Sequence, residues 1–189
     1  MSKHISETAY YMPSLQARIA GFSLAVSLAT TSIMLGDYAH ADTPIVHLFE
    51  FAEGNADLLE GYLPQDVIRT VAKGTPAPGL DFKVLLGTPD LGLGHDWSIA
   101  QLITDQTCNP QGECEIHVRR SSPDGWVTAA EVMAVDVSWL EDGSAPSPLI
   151  FSWLQGPAIW RWDGASYVFD QIGDDDIADA YYAATGGDN

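Results

Sequence analysis

The pair in this chain best suited to proton chemistry is His95-Asp96, which closes the glycine-rich stretch Asp90-Leu-Gly-Leu-Gly-His-Asp96. An imidazole carries a proton near neutral pH and an adjacent carboxylate can orient it, as hydrolysis by general acid–base catalysis requires. His47 and His117 could also join a Ser-His-Asp set, since a triad needs geometry and not sequence order. The chain has no Gly-x-Ser-x-Gly elbow, and Ser98, Ser121, Ser122 and Ser152 stand in contexts that activate none of them. The same stretch resembles a worn calcium loop. Oxygen ligands are wanted at alternate positions, but Gly92 and Gly94 offer only backbone carbonyls there. Asp174 to Asp176 could hold a cation weakly, and they read better as a solvated helix start. No transition-metal ligand set and no cofactor motif is present, so neither a metal nor a cofactor is expected.

Cys108 and Cys114 are the two cysteines, with five residues between them. In an exported chain this pairing implies a disulfide, and no Cys/His pair lies near to complete a zinc site. So small a loop should stabilise by about 2 kcal/mol on the chain-entropy view, so its role is to set the register of a hairpin. Carboxylate pairs carry no specificity in so acidic a chain. Glu50 and Glu53, beside Phe49 and Phe51, are the least ordinary pair and read as surface.

The six tryptophans are more informative. Trp160 and Trp162 share one face of a regular strand, and Arg161 takes the other. Large aromatic side chains first serve to fill a core. The alternative is that Trp160, Trp162 and Tyr167 form an exposed strip with an acidic rim, a candidate binding surface for a protein or glycan.

The elements that must position these residues follow from the hydrophobic pattern. Residues 42–79 read as an arm or first strand (Asp42 to Phe51), then one or two short helices. Asn55 is placed to cap the first, and Pro64 to open the second, whose Val67, Ile68 and Val71 share a face and which ends at Lys73-Gly74. Residues 80–172 read as short strands in hairpin order: Phe82–Leu86, Trp97–Ile103, Glu115–Arg119, a long run Trp126–Trp139 with room for a bulge or kink, Leu149–Trp153, Ala158–Trp162 and Tyr167–Phe169. Asp163-Gly164 predicts a two-residue type I′-like turn. Residues 173–189 form an acidic tail that reads either as a short helix, whose Ile177 and Tyr181 could pack at i, i+4, or equally as a frayed terminus. The fold class expected is α+β: one antiparallel sheet of about six to seven short strands, preceded by one or two helices and followed by a short C-terminal helix.

The first 41 residues read as a secretory signal. Ile19 to Gly36 is apolar apart from Ser and Thr, Arg18 precedes it, and Ala39-His40-Ala41 matches signal-peptidase preferences. Met12 would give a shorter leading segment than Met1. Cleavage after Ala41 would leave 148 of the 189 residues, enough for one domain core. No later run approaches a membrane span, so no membrane association is expected after cleavage. Lys3 and Arg18 balance Glu7 and Asp37, which leaves 6 of 8 basic and 24 of 26 acidic residues beyond the leader and the whole net charge of −18 with them. Such a surface repels nucleic acid, favours solubility, and attracts cations or basic proteins.

Cys108…Gly112-Glu-Cys114, then Pro123-Asp-Gly-Trp126, then Trp160-Arg-Trp-Asp-Gly-Ala-Ser-Tyr167, resembles a loose group of small exported, mostly uncharacterised bacterial proteins. These carry a Cys…Gly-x-Cys hairpin and a C-terminal Trp-Asp-Gly-x-x-Tyr hairpin. The resemblance spans about Val84 to Phe169 and implies export and a β-rich fold, but no reaction. Members often carry an Asp/Asn/Gly-rich segment before the cysteine loop; Asp90–Asp96 holds that place here with most of the acids missing. The expectation is a periplasmic or secreted, non-enzymatic module of the cell envelope whose partner is a basic protein or envelope component. Two alternatives stay open: a small periplasmic hydrolase with its site near His95 and Asp96, and a degenerate calcium-binding protein.

Overall fold

The structure, a computed structural model, describes residues 44–54 and 56–186. The expected signal segment 1–41 and the expected cap Asn55 lie outside the described residues. In chain order the elements are β1 (Ile45–Leu48), β2 (Ala52–Gly54), a 3₁₀ turn (Ala56–Leu59), α1 (Gln65–Lys73), β3 (Val84–Gly87), β4 (Trp97–Leu102), β5 (Cys114–Ser122), β6 (Gly125–Ala134), β7 (Asp136–Glu141), β8 (Leu149–Trp153), β9 (Gly156–Trp162), β10 (Tyr167–Ile172) and α2 (Asp175–Thr185).

All pairings between these strands are antiparallel, and the fold is mostly β with two α-helices, one of them C-terminal. The expected single sheet is corrected to two five-stranded sheets, ordered β1-β7-β8-β9-β10 and β2-β3-β4-β5-β6. The difference originates at Val135. The run Trp126–Trp139, expected as one strand, leaves the second sheet at Ala134 and enters the first at Asp136. The Val135 amide bonds the Ser152 carbonyl (2.8 Å) at the crossing. No Gly or Pro marks the switch, because the chain needs only one unpaired residue to change partners there. The bulge allowed for in this run is present as well, where the β5–β6 register shifts between Val118 and Arg119.

The two sheets pack face to face. Trp97, Ile99, Ile116, Val118 and Val132 from one meet Val137, Leu149, Phe151 and Tyr167 from the other. Each outer face is covered by a helix. Ile177 and Tyr181 of α2 lie against Val46, Leu140, Ile150 and Ile159. Val71 of α1 lies with Leu59 and Leu63 against Val84, Ala100 and Leu102, with Val67 and Ile68 beside them. A strand buried on both faces has no polar side to display. All six residues of β4 are accordingly buried, with Trp97 and Ile99 facing inward and Ala100 and Leu102 facing α1. Burying a large apolar side chain such as Ile99 or Leu102 contributes roughly 1.5–3 kcal/mol.

The helix ends are physically legible. Asp174 caps α2 by accepting the Ile177 amide (3.0 Å), and Gly186 closes it at φ 71°. Gly74 ends α1 for another reason: its backbone is extended, and a Cβ there would meet the Thr104 side chain at 2.7 Å. The turn at Asp163 departs from expectation. Trp162 pairs with Tyr167, so residues 163–166 form a four-residue loop and not a two-residue one. Asp163 Oδ1 accepts the Ala165 (2.8 Å) and Ser166 (2.9 Å) amides; the Ser166 and Ala165 N–H groups hold its carboxyl below the usual range. The side chain organises this turn, and Gly164 alone takes positive φ, at 108°.

The Cys108–Cys114 disulfide is present, in the β4–β5 connection. Inside it, Asn109 Oδ1 accepts the amides of Gln111 and Glu113 (3.0 Å each) and its Nδ2 donates to Glu113 Oε2 (2.7 Å). The loop is thus organised by one asparagine as well as by the crosslink.

Candidate functional site

The Asp90–Asp96 loop joins β3 to β4, and it is fastened from behind. Leu91 is buried in the inter-sheet core, and its carbonyl accepts the Ser147 amide (3.1 Å). The indole Nε1 of Trp97 donates to the Gly92 carbonyl (3.0 Å). At the far end the Asp96 amide donates to Ser121 Oγ (2.9 Å), and the Ser121 amide donates to the Asp96 carbonyl (2.8 Å). Between these anchors Gly92, Leu93 and Gly94 run at φ 92°, 65° and 66°. Leu93 is the only non-glycine residue with positive φ among those described, a conformation that is unfavourable for a branched side chain. Such strain persists only where the surroundings impose it.

A cavity of about 620 Å³ opens against this loop, within the usual range for small-ligand sites. Asp90, His95 and Asp96 line it together with Thr88, Pro89, Tyr62, Trp126 and the buried Trp97. Tyr62 is held between the buried Leu59 and Leu63 as the chain turns toward α1. Trp126 begins β6, and its ring centroid is 5.0 Å from that of Tyr62. The His95 ring stands edge-on to Trp97 at 6.3 Å. Asp90 uses Oδ1 to accept the Gly92 amide (3.0 Å). The exposed Asp96 carboxylate has no partner among the described residues. A smaller depression of about 270 Å³ shares the Thr88–Pro89 wall and brings Glu50 and Phe49 alongside.

His95 and Asp96, adjacent in the chain, both line the cavity. It adds Tyr62 and Trp126, which sequence reasoning missed as site residues. Trp126 stood out only as one tryptophan among six, and nothing local linked it to a tyrosine 64 positions earlier. Thr88 and Tyr62 supply the only hydroxyl groups of the wall. For a calcium ion, the Gly92 carbonyl and one Asp90 oxygen are already engaged inside the protein. Among the described residues, no three His, Cys, Asp or Glu side chains converge to hold a metal ion.

The Trp160, Trp162 and Tyr167 strip is placed differently. Tyr167 is 3% exposed, its hydroxyl donates to the Ser147 carbonyl (2.8 Å), and burial raises its pKa. Trp162 stands edge-on to Trp97 (5.6 Å) and Tyr167 (5.5 Å), and the Arg120 guanidinium lies 5.5 Å from its centroid. Trp160 is edge-on to Phe151 at 5.3 Å. All three turn inward onto the core, the two tryptophans half-buried, and Tyr167 keeps no face for a partner. Arg161 does take the opposite face, where it bonds Asp142 (2.6 Å) and Asp170 (2.9 Å).

The other histidines lie elsewhere. His117 is buried on the outer face of β5, 3.3 Å from Glu115 and 3.9 Å from Glu131. His47 stacks on Trp139 (4.1 Å) and bonds Glu141 (2.6 Å). Neither lines the cavity. No family model, curated protein or solved structure matches this chain, so the functional reading rests on its own residues and geometry.

Proposed function

We propose that this protein is an exported, periplasmic or secreted, non-enzymatic module of the cell envelope that engages a basic protein. The observation that carries the reading is where its few cations go. Beyond the leader there are six, against 24 carboxylates. Arg119 is buried, its pKa lowered by desolvation against the opposing pull of Glu131, and it donates to the Trp126 carbonyl (2.6 Å). Arg120 stacks on Trp162, and Arg161 is held by two aspartates. Half of the positive charge is therefore committed internally, and the carboxylates dominate the field a partner meets. The apolar, Ala-His-Ala-terminated leader supports export.

Binding of a defined polycation, poly-lysine, to the purified exported protein tests this reading. It should bind at low ionic strength and weaken several-fold as salt rises past the point where the screening length drops below about 10 Å. No binding at low salt sinks the proposal. A hydrolase reading is favoured by one observation, that His95 and Asp96 line the same cavity. Turnover of generic ester, glycoside or phosphate substrates by the wild type, lost in His95→Ala, would establish that reading; equal turnover in both would place any activity elsewhere.

A further inference from the structure

We propose that the cavity beside the Asp90–Asp96 loop is the seat of an arginine side chain from a basic polypeptide partner, an inference that rests on the function proposed above and names its site. Three features point to a planar cation. The cavity wall carries two carboxylates, Asp90 and Asp96, and among the described residues no Lys or Arg lines it. The Asp96 carboxylate is exposed and unpartnered among the described residues, and Asp90 commits only Oδ1 to the loop. The same cavity is lined by two aromatic rings, Tyr62 and Trp126, a class of side chain that attracts cations.

A guanidinium can use both kinds of group at once. Its plane stacks on a ring while its N–H fork donates to a carboxylate, whereas an ammonium is a compact, strongly hydrated point charge. The volume, about 620 Å³, is larger than one side chain needs and leaves room for the flanking peptide. The wall is also pre-formed. The loop is tied to the core through Leu91, to Trp97 through the Gly92 carbonyl, and to β5 through Ser121. The left-handed Leu93 shows that these ties hold it in a conformation the backbone alone disfavours. A site that need not reorganise loses less affinity to ordering.

The test is binding of a capped synthetic peptide carrying two arginines, followed by intrinsic tryptophan fluorescence and titration calorimetry. Its lysine and citrulline analogues, poly-lysine and a neutral oligosaccharide serve as comparison probes. Asp96→Asn should weaken the arginine peptide about tenfold or more, since a hydrogen bond to a charged group is lost. Trp126→Phe should weaken it less and remove the fluorescence change. Asp96 is exposed with no partner to orphan, so Asp96→Asn should melt with the wild type, which keeps the result readable. The lysine peptide should bind about tenfold more weakly, and the citrulline peptide not measurably. If the wild type binds poly-lysine but Asp96→Asn and Trp126→Phe bind the arginine peptide unchanged, the site is wrong and the electrostatic reading stands. Equal binding of the arginine and citrulline peptides, or tighter binding of the oligosaccharide with the fluorescence change, overturns the cation. Failure of the wild type to bind either arginine peptide or poly-lysine overturns both proposals.

Discussion

Two aromatic clusters in this protein share one tryptophan and have opposite fates. On one side of Trp97, Trp162 and Tyr167 meet it edge-on between the sheets. On the other, Trp97 backs a cavity whose wall carries Tyr62 and Trp126. What separates them is the face of the strand and what covers it. Trp162 and Tyr167 are directly paired across β9 and β10 and face the opposite sheet. Trp126 pairs with Ser121 near the start of β6, an edge strand, and its ring meets Tyr62. The charged groups divide in the same way. Asp142 on the hairpin side is closed off by Arg161, while Asp96 on the cavity side is left open. Aromatic content alone therefore says little about binding; the strand face and the partner across the gap decide it.

The most severe way to break this comparison is Trp97→Ala. Trp97 is 1% exposed and supports both clusters. Its loss removes core packing and leaves the Gly92 carbonyl without its indole donor. A destabilisation of about 3–5 kcal/mol is expected from denaturant unfolding, with loss of any ligand response at the cavity. A variant that melts like the wild type would mean the two clusters do not depend on this shared residue.

Much of the fold could be read from the chain because local signals agreed with tertiary need. Asp174 and Gly186 bound α2 as a cap and a stop should, and Ile177 and Tyr181 bury together at i, i+4. The number of sheets was not legible. A chain can pass from one sheet to another at a single residue such as Val135 without turn chemistry, and alternation continues across the break. The loop at Asp163 misled because Asp-Gly fits both a two-residue turn and the side-chain-organised turn found here. Of the candidate site, His95-Asp96 could be seen because the two are adjacent. Tyr62 and Trp126 could not, since only the packing of the segment before α1 over the edge of β6 brings them together.

A milder change sharpens the contrast. Tyr167→Phe keeps the ring between the sheets and removes only the hydroxyl that donates to the Ser147 carbonyl. Unfolding free energy should fall by about 1–2 kcal/mol, because a carbonyl loses its partner without a change in packing. Ligand response at the cavity should not change, as the Ser147 amide still donates to the Leu91 carbonyl in the variant. A binding defect in Tyr167→Phe would show that the clusters are coupled through the Ser147 segment of the β7–β8 loop and are not separable.

The smallest expected effect lies in the paired carboxylates. For Asp142, burial pushes the carboxyl pKa up, but the Ser144 and Arg161 hydrogen bonds outweigh it and hold the folded value below the ordinary range. A depressed folded pKa contributes stability that is present above the unfolded value, near 4, and is lost as pH falls through the folded value. Arg161 is raised in turn by its hydrogen bond to Asp142, but its side chain is 42% exposed, so solvent screens the pair. Arg161→Leu should therefore cost only about 0.5–1 kcal/mol at neutral pH, and the difference from wild type should shrink as the solution is acidified below pH ~4. Asp96→Asn breaks no ion pair among the described residues, so its unfolding free energy at neutral pH should match the wild type. Parallel stability profiles for Arg161→Leu and wild type across that range would remove the distinction between a clamped hairpin carboxylate and an open cavity one.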